Sequence, residues 1–413
     1  MFRRWRQPGS RSGNAPAQGG RSVLEVLFIF LRLGLTSFGG PVAHLGYFRD
    51  EFVVKRRWLD EESFADLLAL CQFLPGPASS QVGFALGLSR RGIPGGLAAW
   101  VGFTLPSALA LFVFAQSAAS FSGKSADAAL HGLKLVAVAV VAQAVWGMAR
   151  TLVPDAKRAS IALVAMMIVI VAAGSVGQLG AILLGALLGV LLCRDASPLL
   201  KGRLSFSISR SAGVCSLIAF VTILIAGPFL AGGVHSHALE VFDAFYRSGA
   251  LVFGGGHVVL PLLKATVVDP GWVTTSSFLS GYGAAQAVPG PLFTLSAYLG
   301  AVLSVPPKGL AGAVIALVGI FLPGMLILLG TLPFWDEFRK RQGAQAIMRG
   351  VNAAVVGILA AALYDPVWTG AVHDSRDVAL VLGGFVLLTA WKCPPWAIVA
   401  GMTLGAIGLA MLA

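Results

Sequence analysis

An all-α polytopic membrane protein, built from two homologous repeats of inverted topology with broken or re-entrant helices, is the fold this sequence predicts. Three observations predict it: composition, a long-range internal repeat, and the side on which the cations fall. Of 413 residues, 57% are hydrophobic and 12% charged, with a mean hydropathy of +0.83, whereas a water-exposed surface needs about twice that charge. The 51 glycines and 21 prolines are spread through apolar runs, as membrane helices allow because neighbouring helices repair their hydrogen bonds. This composition excludes a disordered chain, a collagen and a small disulfide scaffold. Cys71, Cys193, Cys215 and Cys393 have no Cys-x-x-Cys spacing and lie in or beside apolar segments, which argues against disulfides and structural zinc.

Residues 1–22, rich in Arg, Gly, Ser and Pro, read as a flexible basic tail. Val23 to Thr36 imitates a signal peptide, but Glu25 and Arg32 interrupt it and the segment is read as retained. Stretches suited to crossing a bilayer, which takes about 20 residues, lie near 97–118, 128–149, 159–192, 213–231, 309–332, 350–364, 377–391 and 395–413. The stretch 159–192 is long enough for two crossings with a turn near Gly174 to Gly177. Two further apolar regions, 23–48 and 64–89, are broken by Gly-Gly-Pro and Pro-Gly-Pro.

The repeat organises the rest. Phe38-Gly39-Gly40 recurs as Phe253-Gly254-Gly255, and Arg32 and Gly34 as Arg247 and Gly249, at an offset of 215. Trp58, Gln72 and Pro75-Gly76-Pro77 recur as Trp272, Gln286 and Pro289-Gly290-Pro291 at 214; Pro106 recurs as Pro323 at 217, and Gly132 and Arg158 as Gly350 and Arg376 at 218. Loop insertions leave such a drift between two copies of one unit, and so long a period marks a duplicated domain rather than a solenoid. The expected organisation is a first repeat at 23–192, a basic linker with one transmembrane helix at 193–240, and a second repeat at 241–413.

If each broken region dips in and returns to the face it left, 23 of the 30 Lys and Arg share one side, taken as cytoplasmic. Lys124, Lys264, Lys308 and Arg376 fall outside, and Arg32, Lys134 and Arg247 lie within or close to apolar segments. The unrepeated segment 213–231 carries the chain across into a loop holding His235, His237 and Glu240 but no Lys or Arg, after which the second half runs upside down. The net charge of +12 therefore sits on loops, which removes a nucleic-acid partner. Inverted repeats are the architecture of many secondary transporters.

Arg32 stands about ten residues into its segment, roughly 15 Å from the entry face, too far for easy snorkelling. Arg247 stands at the matching place. Buried guanidinium groups face a cavity, a partner or a ligand, and their planar donor fork suits tetrahedral oxyanions. The structural alternative is pairing with a carboxylate such as Glu25 or Asp66, or with the carbonyls of a broken helix. Six residues on come Gly39-Gly40-Pro41 and Gly254-Gly255-Gly256, whose glycines allow positive φ and close backbone approach; tight helix crossing is the competing reading. His44 and His257 follow, as anion donors, proton relays or structural histidines.

The second break is more specific. Proline bracketing glycine ends one half-helix and opens another, whose first turn presents free N–H groups and a positive dipole end. Gln72, Gly76, Ser79 and Ser80 in one half, and Gln286, Gly290 and Thr294 in the other, join the expected substrate site. A merely kinked helix is the alternative. Two such ends, one per inverted copy, would converge with both arginines on a small oxyanion at the midplane.

Phe38-Gly39-Gly40-Pro41-x-x-His44 and Gln72-x-x-Pro75-Gly76-Pro77, paired with Phe253-Gly254-Gly255-Gly256-His257 and Gln286-x-x-Pro289-Gly290-Pro291, resemble the chromate ion transporter family in its long, two-domain form. The likeness covers both halves. It implies a carrier of the bacterial inner membrane that exports chromate and gives chromate resistance, with sulfate as the structural analogue. Coupling to membrane potential or protons is implied by the resemblance alone. Pro41 becomes Gly256, Ser79 becomes Phe293 and Lys134 becomes Asn352, so an asymmetric site is expected.

No Gly-x-x-x-x-Gly-Lys-Ser/Thr loop supports ATP-driven pumping, and neither a nucleophile with a base nor a His-Glu-x-x-His pair supports a membrane enzyme. A pure scaffold would have no need of buried arginines at matched positions. Candidate proton carriers are Glu25, Asp66, His44 and His257, with Asp66 replaced by Ser280 in the second copy. The expected partners are a chromate or sulfate-like oxyanion and the lipid bilayer, with a homodimer as a further assembly; no cofactor and no metal is expected.

Overall fold

Four broken segments fold back on themselves, and two long helices hold them together. The computed structural model describes residues 22–118, 123–172, 174–194, 206, 208–234, 236–253, 255–338 and 342–412; most of the basic tail, nearly all of 195–207, His235 and Gly254 lie outside the described residues. Every regular element among the described residues is helical.

α1 (Val23–Thr36) stops at Ser37, and Gly39 and Gly40, with φ of 106° and 78°, turn the chain into α2 (Gly40–Arg49), continued by a π-helical stretch, Asp50–Lys55. Phe30 stacks on Phe52 at 5.0 Å, and Arg56 comes within 4.0 Å of Glu25, so the arms run antiparallel and end where they began. α3 (Glu61–Phe73) starts at Asp60, whose carboxylate accepts the Ser63 N–H; that backbone bond holds its carboxyl below the usual range. After the Pro-Gly-Pro turn, α4 (Ala78–Ala118) breaks at Arg91 and Gly92 into arms 78–90 and 93–118. The Arg90 guanidinium lies 4.9 Å from the Trp58 ring, so this second pair also returns to its starting end. α5 (Lys124–Leu152), α6 (Ala156–Val171) and α7 (Ser175–Leu192) complete the half, with the break between α6 and α7 where Gly174 to Gly177 predict it.

α8 (Arg210–Val234) lies at the periphery, almost entirely unburied despite a mean hydropathy of 2.4 in its span, as a helix facing lipid would be. The order then recurs: α9 (His237–Ala250), a short 3₁₀ turn into α10 (Val259–Leu263), a π-helical stretch Lys264–Val268, α11 (Thr275–Ala285), a 3₁₀ turn Leu292–Thr294 into α12 (Leu295–Ala301), and α13 (Gly309–Thr331). Ser248 Oγ meets Thr266 Oγ1 at 3.1 Å and Ser277 Oγ meets Tyr298 Oη at 2.9 Å, closing the same two hairpins. α12 is shorter than the first arm of α4, its counterpart. After α14 (Trp335–Phe338) come α15 (Gln342–Ala362), running on as a π-helical Leu363–Trp368, then α16 (Ser375–Thr389) and α17 (Pro395–Leu412).

The halves exchange partners. α5 packs on α11, α16 and α17, and α15 packs on α6 and α7, so each central helix is buried chiefly by the other half. Small residues permit it, as at lipid-embedded helix crossings generally: a Cβ on Gly132 would stand 2.7 Å from Thr403 Cα, and one on Gly350 2.6 Å from Gly189 Cα. Gly350→Val should therefore cost about 1–3 kcal/mol through overpacking and lower the unfolding temperature of detergent-solubilised protein. Gly383→Val, where a Cβ meets nothing within 4 Å, should leave it unchanged; equal effects would refute this close approach.

Candidate functional site

The two helix breaks of each half meet those of the other half. The Gly76 N–H, in the first Pro-Gly-Pro turn, donates to the Val252 carbonyl at 2.8 Å; the Gly290 N–H, in the second, donates to the Ser37 carbonyl at 3.0 Å. Ser37 and Val252 are 215 positions apart and end the parent helices α1 and α9. Neither turn has room for a side chain. With φ of 118°, Gly76 sits so that a Cβ would be 3.0 Å from Gly324 Cα; Gly290, at 102°, would place one 2.8 Å from Ser107 Oγ. Gln81 braces the first turn by donating through Nε2 to the Pro75 and Gly324 carbonyls, both at 2.9 Å.

Around the second crossing the first half builds a buried polar wall. His44, fully buried, donates through Nε2 to the same Ser37 carbonyl at 3.2 Å and sets its ring edge against Phe103. Among the described residues its Nδ1 has no hydrogen-bond partner, and neither have the buried hydroxyls of Ser37, Ser80 and Thr104. Gly87 packs on Gly95 and Phe84 on Gly96, and that antiparallel register runs Ser80 toward Thr104. Buried polar atoms without partners are expensive, more so where lipid excludes water, so such a wall is suited to a polar guest. Ser79 is buried beside Ser80, at the first turn of α4. In the second half Thr294 is buried but already satisfied, donating to the Pro291 carbonyl at 2.7 Å.

The two arginines part company. α1 buries Val26, Ile29, Phe30, Leu33 and Gly34, a stripe at helical spacing, and Arg32 falls on the opposite, exposed face with Phe28 and Leu35. It forms no ion pair among the described residues; Glu25 approaches Arg56 instead, and Asp66 accepts from Trp335 Nε1 at 3.2 Å. Arg247 lines a half-open cavity of about 340 Å³ between α7, α8, α9 and the stretch 262–272. Its Nη1 is 3.8 Å from Asp243 Oδ2, one turn earlier on α9. The cavity lining includes no residue of either Pro-Gly-Pro turn, so the arginines and the turns do not form the single cluster that the sequence predicts.

Of the remaining candidates, Gln72 is exposed near the end of α3, Gln286 lies 3.5 Å from the Tyr282 carbonyl, and His257 hydrogen-bonds through Nδ1 to the Tyr282 hydroxyl at 2.6 Å. Gly39, Gly40 and Gly255 occupy the positive-φ turns that require glycine, and Gly254 lies outside the described residues. Asp243 and Gln178 escaped the sequence reading. For Asp243 the signal was available, a carboxylate four residues before Arg247 on one helix face. For Gln178, which faces the cavity from the other half and donates to the Pro261 carbonyl at 2.9 Å, there was none.

Residues 24–190 and 239–408 each match the family model described as chromate transporter. The chain belongs to the chromate transporter family. A chromate transport protein of Pseudomonas aeruginosa is 30% identical over 376 residues, covering 88% of this chain and 86% of that protein. A probable chromate transport protein of Synechococcus elongatus is 27% identical over 376 residues, 90% of each chain. A chromate transport protein of Cupriavidus metallidurans is 26% identical over 351 residues, 83% of this chain and 82% of that one. No solved structure matches the chain. The family unit thus occurs twice, and α8 stands between its two copies.

Gly76→Ala and Gly290→Ala combine a left-handed backbone with close contacts, and each should cost about 1–3 kcal/mol, read as a lower unfolding temperature. Gly92→Ala, at φ of 60° and ψ of −154° with open space around it, carries the backbone strain without the close contact and should cost less than either. A Gly92 effect as large as the other two would remove the crossing as their cause.

Proposed function

We propose that the chain is a secondary transporter that exports chromate, a tetrahedral dianion, from the cytoplasm across the bacterial inner membrane, and so gives chromate resistance. In this reading residues 23–192 and 241–413 are repeats of inverted topology, with 193–240 as the linker that reverses the second. The reciprocal pair of bonds, Gly76 to Val252 and Gly290 to Ser37, is the observation that carries it. Elements related by a two-fold axis in the membrane plane meet reciprocally where they cross that axis, and transporter sites of this architecture sit between such broken helices.

The chemistry suits an oxyanion. Helix N-termini at both turns offer N–H groups and positive dipole ends, the first half adds His44 and the hydroxyls of Ser37, Ser80 and Thr104, and Arg247 supplies full charge in the neighbouring cavity. Direct charge recognition rests on Arg247, with Arg32 on an exposed face. The names of the relatives favour chromate over sulfate, which has the same shape and charge. The distribution of Lys and Arg supports the orientation, and the missing nucleotide loop supports a gradient as the source of energy.

Everted vesicles from cells expressing the protein should accumulate labelled chromate saturably, with sulfate as a competitor. Accumulation no greater than in vesicles lacking the protein would overturn the reading. Arg247→Gln should lower uptake at least about tenfold at unchanged expression. In a cysteine-free background, Lys308→Cys should react with an impermeant thiol reagent from outside intact cells; labelling only from the cytoplasm would overturn the inversion.

A further inference from the structure

Deepening the transporter reading, on which it rests, we infer that Asp243 is a built-in competitor for the anion. Ionised, it occupies the field of the Arg247 guanidinium; protonated, it yields that guanidinium to a doubly charged oxyanion in the cavity beneath α8.

The geometry is that of a pair held apart. At 3.8 Å the Arg247–Asp243 separation exceeds the roughly 2.7–2.9 Å of a charge-assisted hydrogen bond, and the Arg247 side chain donates to no acceptor among the described residues. Its donors are free to take a ligand. Asp243 Oδ1 is buried and accepts no hydrogen bond among the described residues, so a negative charge there is poorly compensated. The cavity has room for a tetrahedral anion with a few waters, each needing about 30 Å³, and Ser248 and Thr266 place hydroxyls on its wall.

One wall of the cavity is α8. α8 contributes Pro228, Ala231 and Gly232, and the absence of a side chain at Gly227 leaves space for the Asp243 carboxylate. Among the described residues no counterpart of α8 lies beside the first half's repeat of α9, where the positions equivalent to Asp243, Ser248 and Thr266 hold Phe28, Leu33 and Phe52. Phe52 is buried against Phe30, filling the equivalent space. Arg32, by contrast, lies on the exposed face of α1.

The charges around Asp243 are few. On α9 itself they are Arg247 and Glu240, the latter paired with His237 at 2.8 Å. α8 presents no ionisable side chain to the cavity, α7 presents Gln178, and α13 packs on α9 through Gly319, Ile320 and Pro323. From the segment after α10, Lys264 is taken up by Asp269 and Asp365 at 3.4 and 3.6 Å. A dianion entering beside an ionised Asp243 meets like charge, and a proton on Asp243 removes that repulsion. The proton-bound form is the one competent to bind, so affinity falls as pH rises through the titration of Asp243.

Calorimetric titration of the purified full-length protein with sulfate, a dianion at both about pH 6 and about pH 8, tests this. Wild type should bind at least about fivefold more tightly at the lower pH. Asp243→Asn should bind equally at both, with the wild-type low-pH affinity; Asp243→Glu should restore the pH dependence; Arg247→Gln should weaken binding at least about tenfold throughout. An Asp243→Asn protein that keeps the wild-type pH dependence overturns the proposal, as does sulfate binding indifferent to Arg247 or absent from wild type. If sulfate behaves as expected while vesicles take up no chromate, the transport reading fails and the competitor stands; chromate uptake with pH-insensitive sulfate binding sinks the competitor alone.

Discussion

A backbone group freed by a helix break inside a bilayer has no water to turn to, and the structure depends on how that requirement is met. Two N–H groups, those of Gly76 and Gly290, find their acceptors at the ends of helices that belong to the opposite half. Neither half can satisfy its own break. The exchange of α5 and α15 between halves follows the same logic on a larger scale, since each central helix is covered mostly by helices of the other copy. Glycine at these points is dictated by geometry, through positive φ at the turns and through backbone contact at the crossings.

Duplication supplied a scaffold whose two copies then diverged in chemistry. The first half concentrates unpartnered polarity near the crossing, in Ser37, His44, Ser80 and Thr104, while the corresponding second-half positions include Val252, Thr294 and Phe321. The second half places Asp243 and Arg247 under α8. Each copy thus keeps the backbone device and only one keeps each side-chain device.

Much of this was legible in residue order because membranes constrain length and composition so strongly. The apolar runs, the split near Gly174, the unrepeated segment that became α8 and the paired breaks at Phe38-Gly39-Gly40 and Pro75-Gly76-Pro77 all announce themselves. Arg32 and Arg247 misled, because identical register in two copies suggested identical surroundings. Helical phase puts Arg32 on the face opposite the Val26–Phe30–Leu33 stripe, and what covers that face depends on which helix lies alongside. Arg247 has α8 beside it, and among the described residues Arg32 has no such helix. Asp243 was readable by its spacing from Arg247, yet its importance comes from burial that spacing does not convey.

Sequence alone determined the class of molecule, its duplication, the places where helices break and the residue types able to stabilise a small anion. These are local properties, set by hydropathy over a span, by the missing N–H of proline and by the missing Cβ of glycine. Tertiary structure decided which carbonyl receives each freed N–H, which arginine faces a cavity and which carboxylate stands beside it. Those are relations between segments 200 or more residues apart along the chain, and the free energy that selects them lies in close packing and in the avoidance of unsatisfied polar groups, neither of which any single segment contains.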